Sequence, residues 1–253
     1  MPHGTHPLQT SQSPTQPAQP PPARRSDAGQ IRLTPRDITG LQLAAQMYAA
    51  PYDLLAAGLG ATEDRFRGIV ARWRRAGLAD SGRFSEGPPW CWATQQGLRH
   101  LGYPWTAEPP ALSRLTRTRA ALACRLRLES VETWQKWHAQ WRSERQIRAD
   151  TPRADKSGHV PAAEVIWPTI KGSPRSGESW AVEVEITPEP LASTQATLSG
   201  LLAQPYSHIL YLCSPATIEV AGHAARQLQP EQAARVTVRP VPSAALIPRA
   251  API

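Results

Sequence analysis

Glu183 and Glu185 stand two residues apart in the run Trp180-Ala181-Val182-Glu183-Val184-Glu185-Ile186, which alternates as a strand does. A strand sends successive side chains to opposite faces. Trp180, Val182, Val184 and Ile186 therefore share one face and the two glutamates share the other. Adjacent carboxylates repel each other and resist burial, and a divalent cation is the usual way to offset that cost. A second strand-like run over residues 160–167 precedes this one and carries Glu164. A metal-dependent nuclease keeps its acids on such a pair of strands.

The second candidate chemistry is cationic. In the stretch 62–76, Phe66, Ile69, Val70 and Trp73 recur at helical spacing and define a core face. Arg65, Arg72 and Arg75 fall on a different face, with Arg67 and Arg74 flanking them. Thr62 is a suitable N-cap, Glu63 and Asp64 suit the first turn, and Gly77 suits the stop. An amphipathic helix with an arginine face suits the major groove of double-stranded DNA.

The elements around that helix have a recognisable order. Residues 37–48 predict a first helix and residues 51–58 a short second one, with Pro51 at its start. After the third helix, residues 78–80 and 90–94 read as two strands joined by a Pro- and Gly-containing turn that carries Arg83. A short helix follows over residues 95–101. Three helices followed by a two-stranded wing is the order of a winged helix-turn-helix.

Residues 111–148 read as helical and basic, with Arg114, Arg117, Arg119, Arg125 and Arg127 available to extend a phosphate-contacting track. Trp134, Trp137 and Trp141 form one helical stripe there, suited to a core or a docking surface. From residue 150 the pattern is mixed. Strands are expected near 160–167, 180–186, 207–213 and 235–239, with helices over 191–203 and 215–228 and loops at 151–158 and 169–179.

Composition sets the outer limits. The chain has 253 residues, 41% of them hydrophobic, enough for two modest domains. Residues 1–30 are rich in Pro, Gln, Ser and Thr and predict a disordered tail containing Arg24-Arg25, and residues 242–253 predict a second tail. The formal net charge is +8, and the excess of arginine lies in residues 1–149 while the remainder is near neutral. A basic half is an electrostatic footprint for a polyanion. Cys91, Cys124 and Cys213 are odd in number and lack CxxC spacing, which predicts ordinary reduced thiols rather than a disulfide frame or zinc site. His100, His159, His208 and His223 lack ligand spacing, although His159 falls near the acids. No stretch has the length of a membrane span and no secretory signal is evident, so a cytoplasmic protein is expected.

With these elements placed, the chain resembles the replication-relaxation family of actinobacterial plasmids and integrative elements. The resemblance rests on Trp141-Arg142-Ser143-Glu144-Arg145, His159-Val160-Pro161, Trp180 through Pro188, Tyr206 through Leu212, and Thr94-x-x-Gly97. It covers residues from about 33 to 240. It implies a C-terminal domain like the PD-(D/E)xK restriction-endonuclease core, in which a helix Glu and strand acids hold magnesium and a Lys assists at the phosphate. Glu144, Glu183 and Glu185 match the acids. Ala162 stands where that pattern has Asp, and Glu189 follows Thr187-Pro188 where the family has Lys. Glu164 shares Ala162's side of the strand, one pleat away, and is the available replacement acid; Lys171 is the available replacement base.

The expected architecture is therefore α+β: a winged helix-turn-helix over residues 31–105, a basic helical linker over 106–148, and a restriction-endonuclease-like α/β domain over 149–241. The expected function is binding of double-stranded DNA at a plasmid or integrative-element locus, for replication, transfer or regulation. Arg65, Arg67, Arg72, Arg74, Arg75 and Arg83 are the expected DNA contacts. The nuclease-like core is expected to be degenerate and to need no cofactor. The rival reading is a Mg²⁺- or Mn²⁺-dependent nuclease with Glu144, Glu164, Glu183 and Glu185 as its catalytic acids, of which Glu164, Glu183 and Glu185 would hold the metal. A third is a protein-docking module using the tryptophan stripe. A replication or transfer protein, or a second copy of the chain, is the macromolecular partner these readings allow, and no membrane is involved.

Overall fold

The computed structural model describes residues 33–84, 87–151 and 158–245, all within one compact unit that begins at Leu33. The expected tail at 1–30, most of the expected loop at 151–158 and most of the tail at 242–253 lie outside the described residues.

Local signals set the first elements. Helix α1, Pro35–Gln46, starts with Pro35 in its first turn and Thr34 as N-cap. Thr34 and Asp37 cap each other reciprocally, so two of the helix's free N–H groups are satisfied. Strand β1, Ala50–Pro51, leads into α2, Tyr52–Gly58. Helix α3, Glu63–Arg75, is capped by the Thr62 hydroxyl, carries acids in its first turn and arginines in its last, and so suits the helix dipole at both ends. Gly77 then turns the chain at φ 68°, a conformation that favours glycine. Strands β2, Ala79–Gly82, and β3, Trp90–Ala93, form an antiparallel hairpin, and β1 joins β3 to give a three-stranded sheet in the order β1-β3-β2. Helix α4, Gln95–His100, starts at the N-cap Thr94.

The region expected to be continuously helical is not. Helix α5, Leu115–Glu129, and the short α6, Glu132–Lys136, are helical, but Gln140–Ser143 is strand β4. His138, at φ 52°, marks the break between α6 and β4. Trp141 is therefore a strand residue and does not extend a helical stripe with Trp134 and Trp137. Trp134 and Trp141 are both buried, so they are core residues. Helix α7, Glu144–Asp150, follows β4 at once, with Ser143 as its N-cap in a capping box with Gln146.

The second half is a five-stranded mixed sheet in the order β4-β5-β6-β7-β8. Its members are β5, Ala163–Ile166; β6, Ser179–Glu185; β7, His208–Cys213; and β8, Val236–Pro240. The pairs β4/β5 and β5/β6 are antiparallel, whereas β6/β7 and β7/β8 are parallel. Parallel neighbours need crossovers, and α8, Leu191–Leu202, and α9, Ile218–Arg226, supply them. A short α10, Pro230–Ala233, precedes β8.

Alternation along β6 divides the core in two, as its sequence implies. Val182 and Val184 join an apolar cluster with α5, β4 and the helices of the first half, including Leu41, Phe66, Trp73 and Leu122. Ala181 joins the other cluster, with Leu198, Leu201, Ile209 and Ala221 from α8, β7 and α9. The chain is thus a mixed α/β protein whose sheet is covered on both faces. Among the described residues no helix is long and apolar enough to cross a membrane.

Candidate nucleic-acid interface and acidic centre

The strand acids do not converge. Glu183 is 4% exposed. Its Oε1 accepts from Arg117 Nη2 at 2.6 Å, and its Oε2 lies 2.7 Å from His159 Nε2. Burial alone would push its carboxyl up; His159 and the Arg117 guanidinium outweigh burial and hold it below the usual carboxylate range. Arg117 also donates from Nη1 to Glu144 Oε2 at 3.1 Å, and the other oxygen of Glu144 accepts from Arg148 Nε at 2.8 Å. The guanidinium itself is held charged, because the attraction of Glu183 and Glu144 exceeds the cost of its burial.

The remaining acids have other partners. Glu164 is buried and accepts from Tyr206 Oη at 2.6 Å and from the Arg142 guanidinium. Glu185 accepts from the Tyr211 hydroxyl and has no partner for its Oε1 among the described residues. Burial raises its carboxyl above the ordinary value, and Glu183 and Glu189 add to that while Tyr211 opposes it. Glu189 is exposed, and Ala162, buried, precedes β5. Lys171 is exposed in the β5–β6 connection, which joins β6 at the end opposite Glu183 and Glu185. Four to six residues of strand separate them, about 13–20 Å.

A divalent cation held by these acids is what the resemblance implies. The residues present do not fit one. A guanidinium bridges Glu144 and Glu183, Glu164 is turned to its own arginine, and among the described residues no three Asp, Glu, His or Cys side chains are grouped to hold a metal. Arg117 is the member the sequence did not single out. It lies 66 residues from Glu183 on a helix with several arginines, and nothing in its spacing marks it.

The arginines of α3 sort into distinct groups. Asp37, 1% exposed, accepts from Trp73 Nε1 at 3.0 Å and from the Thr34 backbone and hydroxyl at 2.8 and 2.6 Å. The Arg72 guanidinium is its fourth donor, so Arg72, expected among the groove contacts, ties α3 to the start of α1. Arg67 reaches Glu63 at 2.8 Å, and Arg74 reaches Asp80 at 3.5 Å. Both pairs are more than one-third exposed, so they hold these arginines only weakly. Arg65 is exposed and makes no ion pair among the described residues. Arg75 is exposed and, among the described residues, donates only to the Ala71 carbonyl of its own helix. Arg83 is exposed on the β2–β3 connection and donates to the Gly87 carbonyl.

Between these arginines the outward ridge of α3 is low. Gly68 and Ala71 are exposed, and a Cβ added at Gly68 would meet nothing within 4 Å. Asp64 and Arg75 lie in line with these two residues at helical spacing, Arg65 stands to one side of that line, and Arg67 and Arg74 stand to the other.

The basic track expected on α5 is largely consumed by the fold. Arg119 is buried against Asp53, with contacts of 2.9 and 2.6 Å that tie α5 to α2. Arg125 is engaged by Glu129 and Gln46, and Arg117 by the acidic centre. Arg114 and Arg127 stay exposed. The three cysteines are buried, and burial pushes the thiols of Cys124 and Cys213 up to about 12, so they stay protonated and inert.

No protein-family model, curated protein or solved structure matches the chain.

Proposed function

We propose that the chain binds double-stranded DNA, with α3 as the reading helix of a winged helix-turn-helix and the β2–β3 hairpin as its wing. The observation that carries this reading is the outward face of α3: a low ridge at Gly68 and Ala71 with exposed arginines along both edges. A helix with side chains is about 10–12 Å across and the major groove about 12 Å wide. Small residues on the ridge let the backbone approach the bases while Arg65 and Arg75 contact base edges. Arg67 and Arg74 exchange weak surface pairs for phosphates, and Arg83 extends from the wing to the backbone or minor groove.

In the same proposal the mixed-sheet half is a restriction-endonuclease-like domain of the replication-relaxation kind that does not cleave. Arginines engage Glu144, Glu164 and Glu183, and that supports a binding or positioning role over phosphate chemistry. This half would present a surface to a replication or transfer protein, or to a second copy of the chain. Burial of Trp134 and Trp141 removes the stripe on which a tryptophan-based docking module would depend.

Fluorescence anisotropy on a labelled duplex tests the proposal. Affinity is expected to fall steeply with salt, with a log–log slope near −0.9 for each phosphate neutralised. Arg65→Ala and Arg75→Ala are each expected to cost about 1–3 kcal/mol if they contact bases. Binding that ignores both salt and these substitutions would exclude α3 as the reader.

A further inference from the structure

We propose that Arg117 is a resident cation that takes the place of a metal ion in the acidic centre, so that a divalent-cation site exists there only when its positive charge is removed.

Three oxygens from two parts of the chain are directed at this one side chain. Glu144 Oε2 lies 3.1 Å from Nη1, Glu183 Oε1 lies 2.6 Å from Nη2, and the Val184 carbonyl lies 3.4 Å from Nε. Two carboxylates and a backbone carbonyl are the hard donor set that a divalent cation such as Mn²⁺ takes. Here the donors meet N–H groups at hydrogen-bond distance rather than an ion at the roughly 2.0–2.2 Å a small divalent metal requires.

The centre's charge is already balanced. The second oxygen of Glu144 is held by Arg148, and that of Glu183 by His159. A divalent ion added to this arrangement would stand beside two guanidiniums and be repelled by both. With Arg117 absent, Glu183 would be a buried carboxylate compensated only by His159 and the Val184 backbone N–H among the described residues, a condition that favours capture of an external cation. The arrangement also explains why the centre joins three elements: Arg117 comes from α5, Glu144 from α7, and Glu183 and Val184 from β6. One side chain does the cross-linking that a bound metal does elsewhere.

The test compares wild type, Arg117→Met and Arg117→Lys, with Mn²⁺ as the probe. Binding is read from loss of the free-ion electron paramagnetic resonance signal, and thermal unfolding is run in EDTA and in Mn²⁺. Wild type is expected to bind no Mn²⁺ at this centre and to unfold at the same temperature in both buffers. Arg117→Met should melt lower in EDTA, bind Mn²⁺, and recover by several degrees when saturated. Adding Glu183→Gln to it should abolish both the binding and the recovery. Arg117→Lys keeps the charge but loses the three-way fork, so it should melt below wild type in both buffers and still bind no Mn²⁺.

Should Arg117→Met fail to fold in EDTA, refolding it in Mn²⁺ answers the same question: recovery supports the proposal and failure counts against it. Wild-type binding of Mn²⁺ that Glu183→Gln removes would overturn it. So would a folded Arg117→Met that ignores the ion.

Discussion

Replacing Asp37 with alanine should damage this fold more than removing any one of the α3 arginines. Its carboxylate is 1% exposed and accepts from four donors: the Thr34 backbone, the Thr34 hydroxyl, Arg72 and the Trp73 indole. Asp37→Ala strands the indole N–H of Trp73, itself 0% exposed, and removes the reciprocal cap of α1. Deleting one partner of a buried, hydrogen-bonded charge typically costs about 3–5 kcal/mol. In a chain of this size that corresponds to a fall in Tm of about 6–20 °C. Arg72→Ala should cost only about 1–2 kcal/mol, because Asp37 keeps its other donors and the arginine is partly exposed.

The effect has a defined pH signature. Burial pushes the Asp37 carboxyl up, but the Thr34, Arg72 and Trp73 hydrogen bonds outweigh it and hold the folded value below the ordinary one. The unfolded state therefore binds its proton first, near pH 3.9. Stability from the ionised carboxylate is complete well above that pH and is lost as pH falls through the folded value. Urea unfolding followed by tryptophan fluorescence measures both effects. The gap between wild type and Asp37→Ala should be widest near neutrality and narrow toward acid. A neutral-pH loss below about 1 kcal/mol, or a gap that widens toward acid, would refute the account of this network.

Other substitutions test neighbouring parts of the account. A Cβ at Gly97 would stand 1.9 Å from the Leu78 carbonyl oxygen, so Gly97→Ala must displace backbone; we expect a loss of about 3 kcal/mol or more in urea unfolding. Gly68→Ala adds a methyl to open space within a helix and should stabilise by about 0.5–1 kcal/mol, which a thermal melt will show. Gly68→Trp should leave the fold intact yet weaken duplex binding at least as much as Arg65→Ala; an unchanged affinity would mean that nothing approaches this ridge. Arg119→Ala leaves a partly exposed Asp53 without its α5 partner and should lower stability by about 1–3 kcal/mol without a direct effect on DNA.

Helix ends and strand alternation were readable from the sequence because their causes are local. Thr62 caps α3 through its own hydroxyl, Gly77 closes it, and Thr94 caps α4, each within a few residues of the element it bounds. The faces of β6 were readable for the same reason: a period of two needs no partner. Strand β4 was not, since Trp134, Trp137 and Trp141 mimic a helical stripe and only pairing with β5, twenty or more residues on, makes Gln140–Ser143 a strand. The fate of the charges was illegible too. Arg72 and Arg65 look alike on a helical projection, and only the approach of α1, with its buried Asp37, distinguishes the tied side chain from the exposed one. Arg117 and Arg119 are likewise assigned by partners on remote elements.

The most direct test of the central claim places purified protein with supercoiled and linear double-stranded DNA on one native gel, in EDTA and in Mg²⁺ or Mn²⁺. A band shift of equal strength is expected in all three buffers, weakened by Arg65→Ala combined with Arg75→Ala, with the supercoiled DNA left intact. Absence of a shift, or metal-dependent nicking that Glu183→Ala abolishes, would contradict that claim.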